Sequence, residues 1–131
     1  MIALNLNGFN GSPWLGGPEN LGGWIDAAAA AGFAFFAPDC PAIAAWLEAG
    51  RTLPQLAARF RDAGTGCAVV TVAALLDGSA QQAQGLRFAA RAADALGAAM
   101  VQVNVAAPTP AAQRAALEQA CATLAGTGLK L

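Results

Sequence analysis

The sequence predicts an α/β fold made of consecutive βα units around a parallel sheet. Three observations carry this. Short apolar runs recur, each entered through a glycine that ends a helical pattern, most clearly in Gly97-Ala98-Ala99-Met100-Val101-Gln102-Val103-Asn104-Val105. Between the runs, apolar residues return at i, i+3, i+4 and i+7, the spacing of a one-sided helix. Helix-start signals, a Thr or Ser followed three residues later by Gln, stand at Thr52 and Ser79. Buried apolar strands alternating with helices imply parallel pairing.

Taken in order, Ile2 to Leu6 alternates apolar residues with Asn and breaks at Gly8, which reads as the first strand. Gly8 to Pro18 is rich in Gly and Pro and forms the longest loop, carrying Trp14. A helix follows from about Asn20 to Ala31, with Leu21, Trp24, Ile25 and Ala28 as its buried stripe and Gly32 at its end. Phe33 to Ala37 is the second strand, stopped by Pro38. Pro41 to Ala49 reads as a short helix closed by Gly50. Thr52 to Gln55 has the capping-box form and starts a helix to Ala63, with Leu56 and Phe60 inward and Arg59, Arg61 and Asp62 towards solvent.

Cys67 to Val72 makes the third strand. Ser79 to Gln82 is a second capping box, opening a helix to Leu96 with Leu86, Ala89, Ala93 and Leu96 on one face. The opening run supplies the fourth strand. Thr109 and Pro110 start another helix, for which Leu117, Cys121 and Leu124 are the expected inward residues. Gly126 and Gly128 end it, and Leu129-Lys130-Leu131 begins a fifth strand. No linker or low-complexity tail divides the chain, so residues 1–131 read as one domain.

Composition narrows the function classes. Hydrophobic residues make up 56% of the chain before its 15 glycines are counted, against about 45–50% with glycine included in average domains. Seven Lys+Arg against eight Asp+Glu leave a formal net charge of −1. No basic patch stands out, which argues against a nucleic-acid partner. Cys40, Cys67 and Cys121 are odd in number and form no CxxC pair, so neither zinc nor a disulfide framework is supported. Reduced thiols and an N-terminus without a basic leader point to the cytoplasm. The longest apolar run, Ala27 to Ala37, is interrupted by Gly32 and falls short of the about 20 residues a bilayer requires, so no membrane partner is expected.

Consecutive βα units build either an open doubly wound sheet or a (β/α)₈ barrel, and both place function at the carboxyl ends of the strands. Periodicity alone leaves the two open. The helix ending Ala30-Ala31-Gly32-Phe33, the Ala63-Gly64 turn, Leu96-Gly97-Ala98 and the closing Gly126-Thr127-Gly128-Leu129-Lys130-Leu131 together resemble, in order and spacing, one family. It is the xylose-isomerase-like TIM barrels, sugar (phosphate) isomerases and epimerases that include hydroxypyruvate-isomerase-like and inosose-dehydratase-like members.

The resemblance implies the N-terminal half of a (β/α)₈ TIM barrel, four βα units plus the start of strand five, with parallel strand order 1-2-3-4. It also implies a parent that binds a divalent metal (Mn, Mg or Zn) and a sugar or sugar phosphate, and that transfers a proton next to a carbonyl. In such relatives the fifth strand follows a Gly-Leu-x-Leu run with a metal-binding glutamate, and later strands add Asp, His and Glu. This chain has no histidine and ends at Leu131. The expectation is therefore a fragment without its own metal, inactive by itself, that self-associates through exposed strand edges.

The expected substrate-binding residues are Asn7, Trp14, Asp39 and Asn104. Asn7 and Asn104 stand at the carboxyl ends of strands one and four, where an amide can both donate to and accept from a sugar hydroxyl; the bland reading is a strand-end residue satisfying local backbone. Asp39 follows strand two, where relatives often carry an acidic residue, although here the pair is Pro38-Asp39 rather than Val-Glu; it could equally cap the next helix. Trp14 could wall a sugar face or simply cover the barrel end. Cys40 has no histidine or other base to activate it. GxGxxG and GxxxxGK[ST] are both absent, which removes the main support for nucleotide binding. The rival functional reading is a complete small doubly wound domain that binds a ligand or partner without catalysis.

Overall fold

Glycine-ended helices hand the chain to strands in the way the sequence signals. In a computed structural model, which describes residues 5–7 and 20–131 (without the side chains of 5–7 and 72–75), the order is β1 (Asn5–Asn7), α1 (Leu21–Ala30), β2 (Phe35–Ala37), α2 (Cys40–Glu48), α3 (Leu53–Ala63), β3 (Val69–Leu76), α4 (Ala80–Leu96), β4 (Met100–Val105) and α5 (Pro110–Thr123). Ile2 to Leu4 of the expected first strand, and the Gly8 to Pro18 loop with Trp14, lie outside the described residues. After α1, α3 and α4 the backbone closes alike: Phe33 N donates to Ala28 O, Thr65 N to Phe60 O and Ala98 N to Ala93 O. That closure needs a left-handed residue just before the donor, and Gly64 at φ 75° and Gly97 at φ 71° supply it without a Cβ clash.

Helix starts follow their caps. Thr52 and Gln55 form the full capping box of α3: the Thr52 hydroxyl accepts from Gln55 N and the Gln55 side chain accepts from Thr52 N. The expected box at Ser79 is only half formed. Ser79 Oγ accepts from Gln82 N, but the Gln82 side chain accepts from Gly78 N, one residue before the cap. Ser79 N instead donates to Asp77 Oδ1, so the cap's own donor is already satisfied.

The strands are parallel and neighbours in chain order. Asn5, Leu6 and Asn7 of β1 pair with Phe35, Phe36 and Ala37 of β2. Two parallel bridges, Phe35↔Gly66 and Asp39↔Thr71, carry β2 across to the β3 segment. Thr71 reinforces this, donating to Pro38 O from its backbone N at 3.0 Å and from its hydroxyl at 3.3 Å. Gly66 lets the two backbones approach, since a Cβ there would lie 3.0 Å from the Phe35 ring. β3 pairs with β4, and a fifth strand begins where Val101 N donates to Lys130 O and Lys130 N to Ala99 O. A doubly wound order of 2-1-3 would set β1 between β2 and β3. Here β2 has β1 on one side and β3 on the other, which is the barrel order.

Alternation gives the sheet two unlike faces. Phe36, Val70 and Val101, one from each of three adjacent strands, are buried in the cluster that the helices cover, with Leu21, Ile25, Ile43, Leu56, Phe60 and Leu86. The Phe36 and Phe60 rings sit 6.0 Å apart at 41°. Burying each such side chain is worth about 1.5–3 kcal/mol. On the other face Met100, Gln102 and Asn104 are exposed, and Thr71 is half-buried.

The last helix corrects the sequence reading. Leu117, at 38% exposure, and Cys121 face outward, and the inward stripe is Ala116, Ala120 and Leu124. The reason is close packing: α5 lies against α4 through alanines, and Gln82 Nε2 donates into this seam to Ala116 O at 2.9 Å. Hydrophobicity alone had favoured the larger Leu117 and Cys121, one residue around the helix.

Candidate functional site

Parallel strands share one carboxyl edge, and a barrel builds its site there. Asp39 stands two residues past the end of β2 and pairs by a bridge with Thr71 on β3, which in turn pairs with Gln102 on β4. The three register positions form a row across adjacent strands. Asn104 lies two residues beyond Gln102, opposite Leu75. Asn7 pairs with Ala37, two residues before Asp39 on the neighbouring strand. The fold thus brings Asn7, Asp39 and Asn104 to a single edge, while Trp14 lies outside the described residues.

Sequence reading did not single out Thr71 as a site residue, and gave Gln102 no role beyond ending a strand. The available signal was a hydroxyl inside the apolar run Ala68-Val69-Val70-Thr71, and polar residues alternating with valine in β4. Period-two alternation puts such residues on one face.

Asp39 has a structural task as well. Its Oδ1 accepts from Ala42 N at 2.8 Å and so caps α2. Burial raises its carboxyl above the usual value, against the opposing pull of the Ala42 bond. Burial, then the neighbouring Asp39 charge, pushes the Cys40 thiol up to about 12, so it stays protonated at neutral pH and is no nucleophile. Beyond β3, exposed Asp77 is held below the ordinary carboxylate range by hydrogen bonds to Ser79.

The row offers hydroxyl and amide groups with a single carboxylate, a set that hydrogen-bonds a polyol well. It suits a divalent cation poorly, because such ions take several oxygen or imidazole ligands together. Among the described residues no group of three or more His, Cys, Asp or Glu could hold a metal ion. A cavity of about 560 Å³ opens at the opposite end, between the end of α4 and the Gly126–Leu129 turn. In barrels that end serves stability rather than chemistry. No helix among the described residues is long and apolar enough to cross a membrane.

No protein-family model matches the sequence, and no curated protein matches it significantly. Solved structures do. A xylose isomerase domain protein from Alicyclobacillus acidocaldarius subsp. acidocaldarius superposes with a TM-score of 0.67 at 17% identity, over 97% of this chain and 48% of that one. A family 2 AP endonuclease from Brucella melitensis superposes with a TM-score of 0.65 at 14% identity, over 98% of this chain and 54% of that one. The chain therefore spans about half the length of each. At these identities the likeness is one of fold, and together with the strand order it assigns the chain the fold of the N-terminal half of a xylose-isomerase-like TIM barrel.

Proposed function

We propose that this chain is the N-terminal half of a metal-dependent sugar or sugar-phosphate isomerase or epimerase, and that it contributes hydroxyl-binding groups rather than the reacting centre. The observation that carries the reading is the polar row at the carboxyl edge, Asp39 bridged to Thr71 and Thr71 paired with Gln102, with Asn104 beyond. Amides on β4, a hydroxyl on β3 and the Asp39 carboxylate together offer both donors and acceptors for sugar hydroxyls. The likeness to a xylose isomerase domain protein adds support at the level of fold. Asn7, Asp39 and Asn104 are the proposed contacts, with Trp14 as an apolar wall. Their work is to orient the sugar. Proton transfer next to the carbonyl and the divalent metal belong to residues this chain does not carry. Three free thiols suit a reducing cytoplasmic setting.

The test is an NMR titration of the 131-residue chain with a ketose and with its phosphate ester. The expected result is millimolar binding, about −4 kcal/mol, with shifts confined to the amides of Asn7, Trp14, Asp39, Thr71, Gln102 and Asn104. Shifts only at the Gly126–Leu129 end, or none at tens of millimolar, would refute the reading. Calorimetry with Mn²⁺ should show no better than millimolar affinity; a micromolar site would mean that the chain holds its own metal centre.

A further inference from the structure

Gln82 is buried, at 2% exposure, in the seam between the third and fourth βα units. Both ends of its amide are used by backbone. Oε1 accepts from Gly78 N at 2.7 Å, and Nε2 donates to Ala116 O at 2.9 Å, 34 residues away. The orientation of the amide is fixed by its partners, since a backbone N–H only donates and a carbonyl only accepts. Gly78 belongs to the Asp77–Ser79 loop, which leaves the carboxyl end of β3, and Ala116 lies in mid-α5. One side chain thus joins the loop after strand three to the helix after strand four.

The sheet shows why such a tie matters. The β3–β4 ladder runs in step from Val69↔Met100 to Thr71↔Gln102 and then jumps, resuming at Leu75↔Asn104 and Leu76↔Val105. β3 therefore carries two extra residues within the candidate site, between the Thr71↔Gln102 pair and Asn104. Beyond the break the strand ends are held by those two pairs and by Ala106 N donating to Leu76 O at 3.1 Å. A break of this kind bends a strand and loosens its pairing.

We propose that Gln82 is a positioning residue, a latch that fixes the Asp77–Ser79 loop to α5 and so holds the ends of β3 and β4 together beyond the interrupted ladder. The site needs one acceptor and one donor at a fixed separation. An amide of this length provides both, an ionised carboxylate provides only acceptors, and methionine neither hydrogen bond. A buried amide with either end unmet costs more than an apolar replacement, so the two-sided match is the point of the residue. What the latch means for a ligand, keeping Asn104 in place against Thr71 and Asp39, rests on the function proposed above. The latch itself does not.

Amide hydrogen exchange on the whole chain tests it. In the wild type the Gly78 amide should be as protected as the amides of β4. Gln82→Met should speed its exchange at least tenfold and leave the Gln55 amide, in the separate cap of α3, unchanged. Gln82→Glu keeps an acceptor for Gly78 N but, when ionised, loses the donor to Ala116 O. Its Gly78 exchange should fall between wild type and the Met variant at neutral pH and regain wild-type protection in acid. There the new carboxyl is protonated, donating to Ala116 O while accepting from Gly78 N. Burial raises its folded pKa, so the full protection is present at low pH and lost as pH rises through that value. Unprotected Gly78 in the wild type overturns the proposal, as does a Met variant with unchanged Gly78 exchange or a Glu variant that acid does not restore. If the Met variant fails to fold, the wild-type measurement and the acid arm decide. No ligand enters these experiments: a sound latch with no sugar binding refutes only the functional reading, and a failed latch with sugar binding refutes only this one.

Discussion

Asp39 stands where two roles meet, and substitution separates them. Its Oδ1 accepts from Ala42 N at 2.8 Å, closing the first turn of α2. Replacing an N-cap Asp by Ala costs about 1 kcal/mol, which for a chain of this length lowers Tm by about 3–4 °C. Asn caps as well as Asp does, so Asp39→Asn should keep the bond and the stability. The pH dependence follows from the raised folded pKa of Asp39, set chiefly by burial. The folded chain holds that proton more tightly than the unfolded one. The resulting stability is full below the unfolded carboxylate range and lost as pH rises through the folded value. Asn has no proton to lose. The Tm of Asp39→Asn should therefore gain on the wild type as pH rises from the ordinary aspartate range, about pH 4, through the raised folded value. Differential scanning calorimetry at several pH values reads both effects. If Asn destabilises as much as Ala, the cap is not what the oxygen supplies; a Tm difference flat with pH would refute the burial argument. The same Asn variant, stable yet uncharged, then shows whether sugar binding needs the carboxylate.

Three further outcomes follow from the packing. Ala120, buried in the α4–α5 seam, should cost about 1–3 kcal/mol when enlarged to Leu, whereas Leu117→Ala should cost under about 1 kcal/mol in chemical denaturation; the reverse ranking would restore the outward face as the core. Ellman titration of the folded chain should find one prompt thiol, exposed Cys121, with Cys40 and Cys67 reacting only on unfolding because both are raised to about 12; two or three prompt thiols would contradict the burial. Sedimentation should show concentration-dependent association, since Met100 at 41%, Val105 at 39% and Leu131 at 44% exposure leave apolar surface on β4 and the beginning fifth strand, and a clean monomer at all concentrations would show that this surface tolerates water.

Local signals were legible in the sequence because their physics is local. The glycine stops after α1, α3 and α4 and the Thr52–Gln55 box depend on backbone conformation and on neighbours three to five residues away. They placed the helices and hence the order of βα units. Strand length was less legible: β3 runs to Leu76 rather than Val72, because its break against β4 depends on both strands. Strand order was beyond periodicity, since doubly wound sheets and barrels share the same repeat; the Phe35↔Gly66 and Asp39↔Thr71 bridges decided it. The inward face of α5 was hidden because an alanine-rich helix shows little amphipathic contrast, and the seam with α4 rewards small size over hydrophobicity. Asp39 could be read as cap or as site residue, and the fold gives it the cap and a place in the polar row together. Gln82 looked like half of a capping box, a reading its near neighbours allow. Its second partner, Ala116 O, is 34 residues away, and only the packing of α5 onto α4 brings that carbonyl within reach of the amide.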